Sequence, residues 1–175
     1  LQDDSLIRRA AAQDAAAFEQ LMLLHQKPVY NICWCMAGNA EDALDLSQEV
    51  FLKLWRTLAQ YQFDAAFSTW LYRIAYNTAI SHTRRRRPRT VEINDRQYEL
   101  PDDQEEILFR ETQMEYLEQA LQRLAPDEKA LVELFYLQKI PVHELAAVTG
   151  HTEGSIKVKL FRIRKKLAAL ISNRT

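Results

Sequence analysis

The strongest chemical signal in the sequence is a run of cations near its C-terminal end. Six Lys or Arg side chains lie between positions 157 and 166, and no acidic residue follows Glu153. A solvated helix face usually mixes acids with bases. Cations without acids are instead typical of a surface that contacts nucleic-acid phosphates. The six are Lys157, Lys159, Arg162, Arg164, Lys165 and Lys166.

The residues before this run have the spacing of a helix-turn-helix. Ala146 is small where two helices must cross closely, and Gly150 can take the left-handed conformation of a tight turn. Ile156 can then plug the second helix into the core, so that the start of this helix points at base edges. The residues predicted to face DNA here are Thr152, Glu153, Ser155, Lys157, Lys159, Arg162 and Arg164.

Patterns typical of catalysis are absent from the sequence. The 3 Gly are too few to build a phosphate-binding loop, and the four histidines have no metal-ligand spacing. Cys33 and Cys35 would point about 200° apart on a helix, so we interpret them as small apolar residues. We therefore predict a protein that is not an enzyme and that has no metal, no cofactor and no small-molecule substrate.

The composition predicts an all-α fold and conceals the charge pattern. Hydrophobic residues make up 47% of the 175, enough for a core, and 3 Gly with 5 Pro argue against a turn-rich β architecture. The net charge of −1 argues against nucleic-acid binding if the chain is taken as a whole. It is, however, a cancellation of −3 over 1–83, +5 over 84–89, −8 over 90–118 and +5 over 119–175.

Amphipathic helices in two groups are expected to position these residues. Helix caps are predicted at Asp14, Asn39, Asp127 and Thr152. We predict two small helical domains, residues 1–87 and 113–175, joined by a flexible acidic linker over 88–112. The helix-turn-helix lies in the second domain. The sequence contains no long apolar run of the kind that forms a membrane span or the core of a signal peptide. We therefore expect a cytoplasmic protein.

Three segments, in this order, resemble the extracytoplasmic-function (ECF) sigma factors, the group 4 class of the sigma-70 family. Residues 40–56, AEDALDLSQEVFLKLWR, are similar to region 2.2 of that family. Residues 67–80, FSTWLYRIAYNTAI, followed by four arginines, are similar to regions 2.3 and 2.4. Residues 154–167, GSIKVKLFRIRKKL, are similar to the region 4.2 recognition helix. The resemblance implies region 2 in the first predicted domain and region 4 in the second.

The family resemblance implies core RNA polymerase as a partner. Region 2.2 docks on the clamp helices of the largest polymerase subunit, and here an apolar Leu lies among polar residues on one helix face, as in an interface with a polar rim. The residues predicted to bind polymerase are Asp45, Gln48, Glu49, Leu52 and Arg56.

Promoter DNA is the second implied partner. Regions 2.3 and 2.4 capture a flipped base of the −10 element, which requires aromatic stacking, polar groups for the base edge and cations for the phosphates. The residues predicted to face this element are Tyr61, Phe63, Ser68, Thr69, Arg73, Asn77, Arg84, Arg85, Arg86 and Arg87. Region 4 reads the −35 element. Ser81 and His151 depart from the family pattern, so no promoter sequence is carried over.

The resemblance also implies an anti-sigma factor, often membrane-tethered, that holds the protein inactive. The alternative interpretation is a free-standing helix-turn-helix regulator with an N-terminal helical sensor. That alternative explains the second domain but not the aromatic helix that ends in arginines. A third interpretation, a helical adaptor or anti-sigma-like protein, would not need the acid-free cationic run.

Overall fold

In this computed structural model, every regular element of the described residues, 2–86 and 114–172, is a helix. The first group is α1 (Gln2–Ala11), α2 (Ala15–Ala37), α3 (Ala40–Thr57), a 3₁₀ turn (Leu58–Gln60) and α4 (Phe67–Arg86). The second is α5 (Met114–Gln122), α6 (Pro126–Val132) with a π-helical continuation (Glu133–Leu137), α7 (Val142–Thr149) and α8 (Glu153–Ser172). The prediction of an all-α protein is confirmed. The predicted linker, 88–112, lies outside the described residues.

Three of the four predicted helix caps are confirmed. The side chains of Asp14, Asn39 and Thr152 accept hydrogen bonds from backbone N–H groups three residues later, at 3.1, 2.9 and 3.2 Å. Each therefore satisfies one donor that the helix itself leaves unpaired.

The fourth predicted cap, Asp127, is wrong. Helix α6 begins one residue earlier, at Pro126, whose fixed φ and missing N–H suit the first helical position. The carboxylate of Glu128 then accepts the N–H of Ala125 at 2.7 Å. Proline at the first position therefore decides where this helix starts.

The predicted two-faced character of α3 is observed. Ala43, Val50 and Leu54 are fully buried in a helix that packs against α2 and α4, and Leu58, at the start of the following 3₁₀ turn, is fully buried too. Trp55 lies at the border of this face, and its ring packs edge-on against Phe18, with the centroids 4.7 Å apart. The opposite face, described below, is exposed.

The second group contains the predicted helix-turn-helix. Helix α7 ends at Gly150, whose φ of 73° is left-handed and whose N–H donates to the carbonyl of Ala146 at 2.9 Å. Ile156, Leu160 and Ile163 then pack the inner face of α8 into the core. The turn and the apolar stripe together fix the direction in which α8 leaves α7.

Replacing Gly150 with Ala is expected to lower the free energy of unfolding by about 1–2 kcal/mol. No atom would lie within 4 Å of the added Cβ, so the cost is that of a left-handed alanine and not of a clash. Urea denaturation would measure it. Gly154→Ala is the matched control, because that Cβ also meets open space but the residue lies in a helix. It should raise stability by a few tenths of a kcal/mol, and equal losses in both variants would contradict the argument.

The two groups of helices pack against each other and share one core. Helix α7 lies against α4, and α6 with its π-helical continuation lies against α2. The buried apolar residues form a single cluster that runs from Ile7 to Ile163. The sequence analysis predicts two domains on a flexible linker and does not predict a contact between them.

The two cysteines contribute to the interior near this contact. Cys33 is buried and Cys35 is half-buried, and both are free thiols. Burial raises the pKa of each thiol to about 12. Both side chains therefore stay protonated and unreactive near neutral pH, as expected of small apolar residues.

Candidate nucleic-acid interface

The start of α8 presents polar side chains at the surface. Thr152, Glu153 and Lys157 are exposed and Ser155 is half-buried. The N-terminus of a helix carries partial positive charge, which favours phosphate oxygens. The predicted base-reading end of α8 is therefore accessible.

The cations of α8 differ in what they contact. Lys166 pairs with Glu128 at 2.7 Å, and the Lys165 ammonium lies 4.9 Å from the centre of the Phe161 ring. Lys159 lies 3.0 Å from a ring nitrogen of His151, and Arg162 is half-buried with an interaction of its own.

Four cations of α8 are exposed, namely Lys157, Arg164, Lys165 and Lys166. Of these, Lys157 and Arg164 lie on the same face of the helix. Seven residues apart, they are separated by about 20° around the helix axis. We expect this face to contact phosphate.

The aromatic residues of the 61–69 loop pack mainly on one another. Tyr61 is 9% exposed, its hydroxyl donates to the carbonyl of Ala65 at 2.6 Å, and its ring lies 4.6 Å from Phe63 and 5.3 Å from Trp70. Phe63 is half-buried, with the guanidinium of Arg8 4.3 Å from its ring centre. In this conformation the Tyr61 ring belongs to the interior and is not available to stack on a base.

The polar residues of α4 that were predicted to face DNA differ in how far they are exposed to solvent. Arg73 and Asn77 are exposed one turn apart, and Arg84 and Arg85 are exposed near the end of the helix. Ser68 is half-buried. The side chain of Arg86 and the whole of Arg87 lie outside the described residues.

Thr69 is the predicted DNA-facing residue whose position is most unexpected. It is only 3% exposed, and its hydroxyl donates a hydrogen bond to the Glu144 carboxylate of α7. The sequence predicts that Thr69 contacts DNA, but in the structure Thr69 contacts α7 of the second helical group.

The residues around Thr69 form a cavity of about 310 Å³ that the sequence analysis did not identify. Its polar wall combines amide, carboxylate and guanidinium groups, which can hydrogen-bond to a base edge. A signal was present, since polar residues alternate with aromatic ones along 60–64. The residues that form this polar wall are Gln60, Gln62, Asp64 and Arg73.

The outward face of α3 is a separate surface, away from the core. All five residues predicted to bind polymerase there are exposed, and Leu52 is 56% exposed. Glu49 pairs with Lys53 at 2.7 Å one turn along. Leu44, which was not among the predicted residues, is 52% exposed two turns before Leu52 and extends the apolar part of this face. Two large exposed apolar side chains among polar ones are typical of an interface.

Such surfaces are typical of a helical DNA-binding protein with an additional protein-docking face, and known proteins are similar to this chain in both of its helical groups. The family model described as Sigma-70 region 2 matches residues 21–89, and that described as Sigma-70, region 4 matches residues 114–167. The RNA polymerase sigma-H factor of Pseudomonas aeruginosa is 30% identical, over 95% of this chain and 92% of that protein. The ECF RNA polymerase sigma factor SigM of Mycobacterium tuberculosis is 28% identical, over 97% of this chain and 84% of that protein.

A solved structure has the same fold. The sigma factor RpoE of Bartonella quintana, determined in complex with the anti-sigma factor NepR, superposes with a TM-score of 0.66 over 89% of this chain and 96% of that one, at 22% identity. This chain belongs to the sigma-70 family and is an RNA polymerase sigma factor of the ECF class. No helix in the described part of the chain is long and apolar enough to cross a membrane.

Proposed function

We propose that this sigma factor uses three separate surfaces to start transcription at its promoters. The outward face of α3 docks on the clamp helices of the largest subunit of core RNA polymerase. The 61–69 loop, α4 and the arginines at its end bind and melt the −10 element. The start and the exposed cationic face of α8 read the −35 element.

One observation carries this proposal: a single chain exposes leucines beside carboxylates on α3 and, on α4 and α8, cations and polar groups of the kind that bind DNA. On α3, Leu52 and Leu44 share the exposed side of the helix with the carboxylates of Asp45 and Glu49, which suits a partner with a basic rim. On α8, Lys157 and Arg164 are exposed, and no acidic residue follows Glu153 along the helix, which suits phosphate. A free-standing regulator would need the DNA-binding surface of α8 but not the docking face of α3.

For the −10 element, the support comes from exposed polar groups close to a cavity. Arg73 both lines that cavity and lies one turn before Asn77 on the exposed side of α4. An amide can donate to and accept from a base edge, and guanidinium groups bind the flanking phosphates. We assign capture of the flipped base to this region, in agreement with the family's region 2.

We further propose that an anti-sigma factor holds this protein inactive in the cytoplasm until a signal releases it. The support is the relative from Bartonella quintana, which was solved with the anti-sigma factor NepR. The same proposal divides the chain into a polymerase- and −10-binding part, residues 1–87, and a −35-binding part, residues 113–175.

Transcription from a candidate promoter with purified core polymerase tests the proposal. The full chain should convert the core enzyme into one that starts transcripts at a defined position, and core enzyme alone should not. Co-purification of the chain with core polymerase should accompany this activity. Tight, specific binding of the chain alone to duplex DNA, with no association with polymerase, would favour the alternative of a free-standing regulator.

A further inference from the structure

Helix α1 lies against the 61–69 loop. Ile7 and Ala10 are buried on its inner side, and the helix packs on α2 and on the 3₁₀ turn that precedes the loop. Burial raises the pKa of the Tyr61 hydroxyl, and the carboxylate of Asp4 on α1 raises it further. Helix α1 is therefore anchored in the core and close enough to act on the loop.

The backbone of this loop is strained at Phe63. Its φ of 60° is left-handed, a conformation that crowds the Cβ and is rare for a bulky residue. Such a conformation persists only where the surrounding structure holds it, and it is found most often at binding and active sites. The neighbours of Phe63 on both sides, Gln62 and Asp64, line the cavity beside α4. The strained residue therefore sets where two polar residues of the cavity stand.

The Phe63 ring is held by a second ring and by a cation. The Tyr61 ring lies 4.6 Å from it, and the Tyr61 hydroxyl donates to the carbonyl of Ala65 at 2.6 Å. The guanidinium of Arg8 lies 4.3 Å from the centre of the Phe63 ring, which is within the range of a cation–π interaction. Tyr61 belongs to the loop itself, whereas Arg8 belongs to an anchored helix. Arg8 is therefore a contact that can hold the loop from outside.

The two neighbouring arginines of α1 differ in what they contact. Arg9 pairs with Asp14, the residue that caps α2, at 2.6 Å. Arg8 is exposed, and its guanidinium lies over the Phe63 ring. Arg9 therefore fastens α1 to α2, while Arg8 faces the loop.

We propose that Arg8 is a positioning residue of the −10 site: its guanidinium holds the Phe63 ring, and with it the left-handed backbone that places Gln62 and Asp64 at the cavity. Helix α1 ends before residue 21, where the match to Sigma-70 region 2 begins, so that match gives α1 no part in −10 binding. This inference rests on the proposed promoter function. Without the cation the loop populates other conformations, and the affinity for a flipped base falls by the fraction of loops that remain competent.

The variant Arg8→Ala tests this role in promoter opening. With core polymerase and a promoter on which the natural chain is active, open complexes should form about threefold to fivefold more slowly, which is the effect of an exposed cation–π contact. Affinity for core polymerase should stay within about twofold, because Arg8 does not lie on the outward face of α3. Arg8→Lys, which keeps a cation, should open the promoter faster than Arg8→Ala.

Arg9→Ala is the matched control. It removes the same charge from the same helix but leaves the contact between Arg8 and Phe63 in place. The rate of promoter opening should then stay within about 1.5-fold of that of the natural chain. An equal loss in Arg8→Ala and Arg9→Ala would show that charge alone matters and would overturn the proposal.

A double variant shows whether Arg8 acts through Phe63. Phe63→Leu removes the ring, and adding Arg8→Ala to it should slow opening by less than about 1.5-fold more. Additive losses would overturn the proposal, and so would an Arg8→Ala chain that opens the promoter at the natural rate.

Salt dependence separates positioning from a direct contact with phosphate. In Arg8→Ala the slope of log K against log salt should change by less than about 0.3, whereas the loss of one phosphate contact changes it by about 0.9. A change near the second value would make Arg8 a DNA-binding residue and would overturn its role as a positioning residue.

Hydrogen exchange follows the loop without any promoter. Backbone amides of residues 61–66 should exchange about threefold to fivefold faster in Arg8→Ala than in the natural chain, while those of α3 should not change. Arg9→Ala should leave the exchange of the loop near the natural rate. Unchanged exchange of the loop in Arg8→Ala would overturn the proposal. Failure of the promoter function itself would look different, because the natural chain would be inactive with polymerase while the difference in exchange remained.

Discussion

Reversing both charges in the variant Asp45→Lys/Glu49→Lys is expected to weaken binding to core RNA polymerase by about 100-fold or more. Both side chains are exposed on the outward face of α3, within about 60° of Leu52 around the helix axis. Like charges placed opposite each other in an interface cost several kcal/mol, and about 2.7 kcal/mol corresponds to 100-fold. Co-purification at several salt concentrations and a competition assay against the natural chain would measure the change.

The matched control carries the same charge change elsewhere. Asp4 and Glu19 are also exposed acids, on α1 and α2, and Asp4→Lys/Glu19→Lys should bind polymerase within about threefold of the natural chain. The α3 variant loses the exposed Glu49–Lys53 pair, so a stability loss of about 0.5 kcal/mol is expected from it. Unchanged polymerase affinity in a folded α3 variant would show that this face is not the docking surface.

The features that the sequence predicted well are those with a local cause. The buried and exposed faces of α3 follow from helical periodicity within eighteen residues. Asn39 caps that helix because its side chain accepts an N–H three residues away. Gly150 ends α7 because its left-handed φ is unfavourable for other residues. Each of these causes acts over one or two turns of chain.

The features that the sequence did not predict depend on residues far apart in the chain. Thr69 and Glu144 are 75 positions apart, and nothing in the periodicity of either helix indicates their contact. Glu133 is a charged residue that would be expected at the surface, yet Asn31 and Gln138 hold it in the interior. Tyr61 has the residue type of a stacking platform, but neighbouring rings enclose it. Burial at these positions is decided by how the two helical groups pack, which a local pattern does not contain.

On α8, the variant Lys157→Ala/Arg164→Ala is expected to weaken binding of the sigma factor–polymerase complex to −35 DNA by about 50-fold at 0.1 M salt. Both cations are exposed on one face, and each phosphate contact that is lost removes about 0.9 from the slope of log K against log salt. The slope should therefore become less negative by about 1.8, and the difference in affinity should vanish toward 1 M salt. Binding titrations over a range of salt concentrations would measure both quantities.

Lys166→Ala separates this phosphate role from net charge. Lys166 lies about 160° around the helix from Arg164 and is paired with Glu128, so its loss removes a cation that is turned toward α6. The salt slope should then change by less than about 0.3, and stability by at most about 1 kcal/mol. If this single variant changed the slope as much as either exposed cation, attraction would depend on the overall charge of α8. An effect confined to Lys157 and Arg164 would instead assign DNA contact to the face that carries these two residues. The opposite face would then have no part in DNA binding, because Lys166 on that face is paired with Glu128.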